Sequence, residues 1–237
     1  IEERILLLEQ TGIDHLIVHP FSKSFSRLSS IEYIRDILVN NLNVSKLVIG
    51  YDHQFGRNRE GSFQDLKQLS PLYNFTVEEI AAQEIQQINI SSTKVRNSLL
   101  VGEIKAANQF LGYKYFIKGK VVKGDRVGRT IGFPTANIKV NEWYKLIPAK
   151  GVYAVKVKIF NTTYIGMLNI GNRPTLNDTN TETIEVNIIN FEGDIYSEEL
   201  EIEFYERVRG EQKFESIKLL QKQLEIDKKN VIQFFNN

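Results

Sequence analysis

The sequence predicts two domains of different texture. An α/β layer on a parallel sheet spans residues 1–112, and a small antiparallel β-barrel with a C-terminal helix spans residues 113–237. Three observations carry this. Helical and apolar strand-like segments alternate as far as Leu111. From Tyr113 onward, short strand-like runs recur between Gly, Asn, Asp and Pro turns. The tail from Ser216 returns to helical spacing, with Ile217, Leu220, Leu224 and Val231.

The first segment, IEERILLLEQTG, reads as a helix that stops at Gly12, and the apolar run HLIVHP at 15–20 reads as the strand after it. A second helix covers Ser29 to Leu42. Ser29 and Glu32 lie three apart as a capping box, and Ile31, Ile34, Leu38 and Leu42 share a face. KLVIG at 46–50 is a short buried strand, followed by the loop YDHQFGRNREGS. A helix around Phe63 to Leu69 leads to a strand near Phe75 to Ile80. Alternation of this kind makes a parallel sheet. One further helix runs from the cap Ser91-Ser92-Thr93 to Gly102, and another, EIKAANQFLG, ends at Gly112. The barrel strands are FIKGKVV, GVYAVKVKIF, TYIGMLNIG, TIEVNIINF and LEIEFYERV.

Composition narrows the function. The chain has 237 residues and no cysteine, which removes disulfides, thiolate metal sites and thiol nucleophiles and suits a reducing, cytoplasmic compartment. No apolar run approaches the ~18 residues that span a bilayer, so no membrane partner is expected. Net charge is +1, divided as −2 over residues 1–111 and +3 over 112–237, so neither half is expected to bind nucleic acid. The chain begins with Ile and its first helix reads as the middle of a domain, so the expectation is that a piece precedes Ile1.

The densest signal is GKVVKGDRVGRTIGFPTAN, from Gly119 to Asn137. Glycines at 119, 124, 128 and 132 permit close backbone approach and an anion-binding nest of N–H groups. Lys123, Arg126 and Arg129 add charge where a polyphosphate would lie. Thr135 and Asn137 are two hard oxygen donors, two residues apart and so on one face of an extended segment, a pair that suits Mg²⁺. No Gly-Lys-Ser or Gly-Lys-Thr follows, so this is not a Walker loop.

Five markers in order, GRTIGFPTAN at 128–137, GVYAV at 151–155, LNIGNRPT at 168–175, TIEVNI at 183–188 and RGEQKFES at 209–216, make residues 113–237 resemble a complete riboflavin kinase module. The resemblance implies a six-stranded barrel that phosphorylates the ribityl 5′-hydroxyl of riboflavin with ATP and Mg²⁺. Glu185 matches the family's catalytic base, in a strand whose Ile184 and Val186 face the other way. Gly124, Gly128, Arg129, Gly132, Thr135 and Asn137 would hold ATP, with the metal on Thr135 and Asn137 and the backbone before them fixed by Pro134. Arg173 and Arg209 would meet the flavin, and Asn187 stands where some relatives have His.

The first half resembles the FMN adenylyltransferase domain of the bifunctional prokaryotic FAD synthetases, a parallel-sheet nucleotidyltransferase fold. GYDHQFGRNREG at 50–61 and ISSTKVR at 90–96 carry this match, through Asp52, Ser92, Thr93 and Arg96. His53 departs from the family's aromatic residue. The family's His-x-Gly-His turn is absent, the histidines being His15, His19 and His53. Loss of such a transition-state clamp costs ~10²–10³-fold or more, so the chain is expected to make FMN and to adenylate it to FAD poorly, while the parent protein does both. Two other readings stand beside this one: a non-catalytic flavin or nucleotide-binding module, and a barrel for single-stranded nucleic acid. Intact Thr135, Asn137 and Glu185 argue against the first, and the weak charge of the second half argues against the other.

Overall fold

The computed structural model describes residues 1–81, 84–85, 88–124, 127–173 and 181–236; Arg126 lies outside them, as does the side chain of Arg173. The chain divides into two compact units, Ile1–Gln83 and Glu84–Asn237.

In the first unit α1 covers Glu2–Glu9, and a turn at Gly12 (φ +76°) follows. The expected strand at HLIVHP does not form. Leu16, Ile17 and Val18 are exposed, and among the described residues the sheet that β1 (Lys46–Gly50) and β2 (Thr76–Ile80) make has two strands. A run with no neighbour to take its backbone N–H and C=O groups stays irregular however apolar it is.

The next helix starts as expected. Ser29 Oγ accepts from the Glu32 N–H at 3.3 Å, and the Ser29 N–H donates to Glu32 Oε2 at 2.8 Å. After α2 (Ser30–Glu32) the winding widens to a π-helix over Tyr33–Asn41. That rotates the apolar stripe, so Ile34 and Leu38 are buried while Ile31 and Leu42 are exposed, against the expected four-residue face. α3 (Phe63–Tyr73) then connects β1 to β2, which run parallel with Lys46 opposite Thr76. Ile34, Leu38, Ile49, Phe55, Leu66 and Phe75 form the core of this unit.

The second unit opens with the short ladder β3 (Glu84–Ile85) and β4 (Ile88–Asn89), then α4 (Ser92–Val101) and α5 (Ile104–Leu111). β5 (Phe116–Val122), α6 (Val127–Thr130), β6 (Ala136–Lys139), β7 (Gly151–Ile159), β8 (Thr162–Arg173), β9 (Thr181–Ile188), β10 (Glu199–Arg209) and α7 (Ile217–Asn236) follow. The six longer strands close into a barrel in the order β10-β5-β6-β9-β8-β7, all neighbours antiparallel.

Strand β7 shows why its sequence reads as a solid apolar run. Tyr153, Val155 and Val157 belong to the barrel core, while Val152 and Ala154 pack with Phe133, Met167 and Val231 of α7. A strand buried on both faces has no polar alternation. Burial pushes the Tyr153 phenol up to about 12, so at neutral pH it stays a donor, to the Ala149 carbonyl.

Helices α4 and α5 pack with the barrel, so this unit begins ahead of residue 112, where the sequence changes texture. Leu99, Ile104 and Ala107 belong to the barrel's core cluster. Asn108 Nδ2 donates to the Phe204 carbonyl at 2.9 Å, and its Oδ1 accepts from the Tyr115 N–H at 2.7 Å. A fully buried Leu or Ile contributes ~1.5–3 kcal/mol. A fragment from residue 90 to 237 is therefore expected to unfold at distinctly higher urea than one starting at Tyr113. Coincident urea midpoints would show that the two helices add nothing to the barrel.

Candidate active site

The pairing of β6 with β9 places the site. Asn137 lies opposite Glu185 and Ala136 opposite Val186, and on the other side of β9 Asn169 of β8 also lies opposite Glu185. Ile184 and Val186 go to the barrel core, so period-2 alternation turns Glu185 and Asn187 to the outer wall. There Thr135 Oγ1 donates to Glu185 Oε2 at 3.1 Å. The carboxylate therefore points at the Pro-Thr-Ala-Asn segment, fifty residues away in sequence.

The glycines of the preceding turn are needed for closeness. A Cβ at Gly124 would overlap the Asn137 amide, and one at Gly128 would overlap the Phe133 carbonyl oxygen and come within 3.4 Å of Thr135 Oγ1. The Phe133 N–H donates to the Gly128 carbonyl at 2.8 Å, drawing the turn shut, and Gly132 sits inside it at φ +82°. Arg129 and Lys123 are exposed beside this turn, whereas Gly119 is a residue of β5. Asn187, 5 % exposed, donates through Nδ2 to the Pro134 carbonyl at 2.7 Å. Asn187 thus holds the residue just ahead of Thr135.

Two cavities meet at this point. The first, about 350 Å³, is lined by Thr135, Asn169, Glu185, Asn187 and Arg209, with apolar walls from Phe133, Met167, Leu220 and Leu224. The second, about 630 Å³, has Arg129, Pro134, Thr135, Phe191 and Tyr196 among its walls. Thr135 lines both. Sequence reasoning did not single out Asn169 or Phe191. Asn169 was legible in principle, since strand pairing puts it opposite Glu185, but no motif marks the register.

Arg209 borders the first cavity, and one edge of its guanidinium is occupied. Nε donates to Asp227 Oδ2 at 2.9 Å, and Nη2 forms an ion pair with the same oxygen at 2.8 Å. Arg173 ends β8, with its side chain outside the described residues. Asp52 is exposed in the first unit, and Ser92, Thr93 and Arg96 are exposed on α4 in the second, so the four are not drawn from one compact unit. At the start of α4 the capping oxygen is that of Ser91, accepting from the Lys94 N–H at 3.3 Å, rather than Ser92 or Thr93. Among the described residues, no cluster of three or more His, Asp or Glu side chains could hold a metal alone.

A carboxylate and a hydroxyl between two cavities, backed by a glycine turn, can serve an enzyme that moves a phosphoryl group between two small molecules. The comparisons narrow that class. The riboflavin kinase family model matches residues 111–235, and the FAD synthetase model matches residues 1–94. The chain is 41% identical over 235 residues to the bifunctional riboflavin kinase/FMN adenylyltransferase of Listeria monocytogenes, covering 99% of this chain and 74% of that one. For the Bacillus subtilis protein of the same description the values are 39% identity, 100% and 75%, and for that of Escherichia coli K12 they are 34%, 99% and 74%. The chain belongs to the bifunctional riboflavin kinase/FMN adenylyltransferase family. A solved structure from Streptococcus pneumoniae, described as a macrolide-efflux protein, superposes with a TM-score of 0.87 at 33% identity, covering 96% of this chain and 73% of that one.

Proposed function

We propose that this chain transfers the γ-phosphoryl group of ATP to the ribityl 5′-hydroxyl of riboflavin, giving FMN and ADP. The observation that carries this is the 3.1 Å bond between Thr135 and Glu185 at the seam of the two cavities. Riboflavin occupies the first cavity, whose apolar walls suit a flat ring system and whose polar groups suit a polyol. The nucleotide occupies the second, with its phosphates over residues 127–132 and Arg129 beside them. Glu185 accepts the hydroxyl proton as that oxygen bonds to the γ-phosphorus and the bond to the β-phosphate oxygen breaks. Asn187, through Pro134, keeps Thr135 in place.

The donor set at Thr135 and Asn137 fits Mg²⁺: a hydroxyl and an amide oxygen, both neutral and hard, with the Glu185 carboxylate beside them. A magnesium ion held there supplies charge neutralisation of the phosphates. Thr135→Ala and Asn137→Ala are each expected to raise the Mg²⁺ concentration for half-maximal activity about tenfold. An unaltered magnesium titration would remove both residues from the ligand set.

A cytoplasmic setting, where ATP is at hand, fits this chemistry. Adenylation of FMN is a separate matter. The sequence as given has no His-x-Gly-His, so FAD formation is expected to be slow. Incubation with riboflavin, ATP and Mg²⁺, followed by chromatographic separation, should show FMN accumulating with little FAD. No FMN would refute the kinase reading, and FAD appearing as fast as FMN would refute the second expectation.

A further inference from the structure

Asp227 is the one carboxylate or cationic side chain buried among the described residues, 1 % exposed, and the transfer described above does not use it. It stands on α7 in the series Leu220, Leu224, Asp227 and Val231, where helical spacing calls for an aliphatic residue. A buried carboxylate is costly unless paired and hydrogen-bonded. This one is both: Oδ2 accepts from Arg209 Nε at 2.9 Å and is ion-paired with Nη2 at 2.8 Å, and Oδ1 accepts from Gln223 Nε2 at 2.8 Å.

Arg209 is the last residue of β10 and is held on two further sides. Its Nη1 donates to the Gly210 carbonyl at 3.0 Å, and its guanidinium carbon lies 5.7 Å from the Phe214 ring centroid. Arg209, Phe214, Leu220 and Leu224 all line the first cavity, and Asp227 does not. An aliphatic pair would hold α7 on the barrel equally well. It would not fix the plane and reach of a guanidinium that borders the cavity.

We propose that Asp227 is a positioning residue for riboflavin recognition: with Gln223 it sets the orientation of Arg209, and it acts on the flavin only through that arginine. This rests on riboflavin occupying the first cavity. Gln223, one turn earlier, keeps the carboxylate from rotating away.

The test uses the full chain, with riboflavin binding followed by flavin fluorescence and turnover by FMN formation. Asp227→Asn is expected to raise the riboflavin Kd and KM about tenfold, the loss typical of a hydrogen-bonded charge, and to leave the KM for ATP within about twofold. Gln223→Met, a milder change at a half-buried position, should raise the riboflavin Kd about threefold. In an Arg209→Gln background, Asp227→Asn should add nothing further to the riboflavin Kd. The proposal is overturned by an unchanged riboflavin Kd in Asp227→Asn, or in Gln223→Met should Asp227→Asn not fold. Equal rises in the riboflavin and ATP KM values, or a full additional loss in the Arg209→Gln background, would overturn it too. If the wild-type chain binds no riboflavin, the reading of the cavity fails first, an outcome distinct from any of these.

Discussion

Replacing Glu185 with Gln is expected to lower kcat for FMN formation about 10²–10⁴-fold, the usual worth of a positioned general base. Riboflavin affinity should stay within about threefold, because an amide fills the same volume and the interaction lost is made in the transition state. The structure sharpens this expectation. Glu185 is half-buried on the outer wall of β9, with Asn137 and Asn169 opposite it on the two neighbouring strands and Thr135 donating to it. A glutamine there can still accept from Thr135, so the local hydrogen bonding and the fold should survive. What disappears is the capacity to take a proton. An unchanged kcat would remove Glu185 from the mechanism; a rise in riboflavin KM with kcat intact would recast it as a binding group.

The second large effect is expected at Gly128. Gly128→Ala puts a methyl group into the Phe133 carbonyl oxygen and against Thr135 Oγ1, and the carbonyl is backbone, which cannot rotate aside as a side chain can. To admit it, the turn closed by the Phe133 N–H bond to Gly128 must open, displacing Thr135 from both cavities at once. Misplacing reacting groups by about 1 Å costs ~10²-fold, so kcat/KM for ATP should fall by at least that factor. Barrel stability should change little, since Gly128 lies in α6, within the connection from β5 to β6, rather than in the barrel core. Near-normal activity in Gly128→Ala would mean that this turn does not set the nucleotide site.

How much of this was legible in the sequence depended on whether the signal was local. Caps and stops were read correctly where one or two residues dictate them: the Ser29–Glu32 box, Gly102 at φ +83° and Gly112 at φ +76° all end or start helices as expected. The longer barrel strands were visible as period-2 or apolar runs. Strand β6, Ala136–Lys139, was not, because four residues leave no room for a pattern. The strand expected at 15–20 failed for the opposite reason: its composition was right but no neighbour pairs with it. The π-winding after Tyr33 altered which apolar residues face inward, and no residue type announces such winding.

Within the site, Glu185, Thr135 and Asn137 were named from a motif, but the register that joins them is a property of the closed barrel. Arg209 was likewise named from a motif, and its partner was not. Asp227 looks like an ordinary helix-surface residue until α7 is laid on the barrel and its neighbours are seen.

The central claim is that an alcohol in the first cavity meets a phosphate from the second at the Thr135–Glu185 seam. A crystal structure of the chain with riboflavin, ADP and Mg²⁺ bound tests it most directly. The account predicts the ribityl 5′-oxygen within hydrogen-bond reach of the Glu185 carboxylate, about 2.6–3.2 Å, with the terminal phosphate over residues 127–132. A ribityl chain running away from Glu185, or phosphates bound on another face of the barrel, would contradict it.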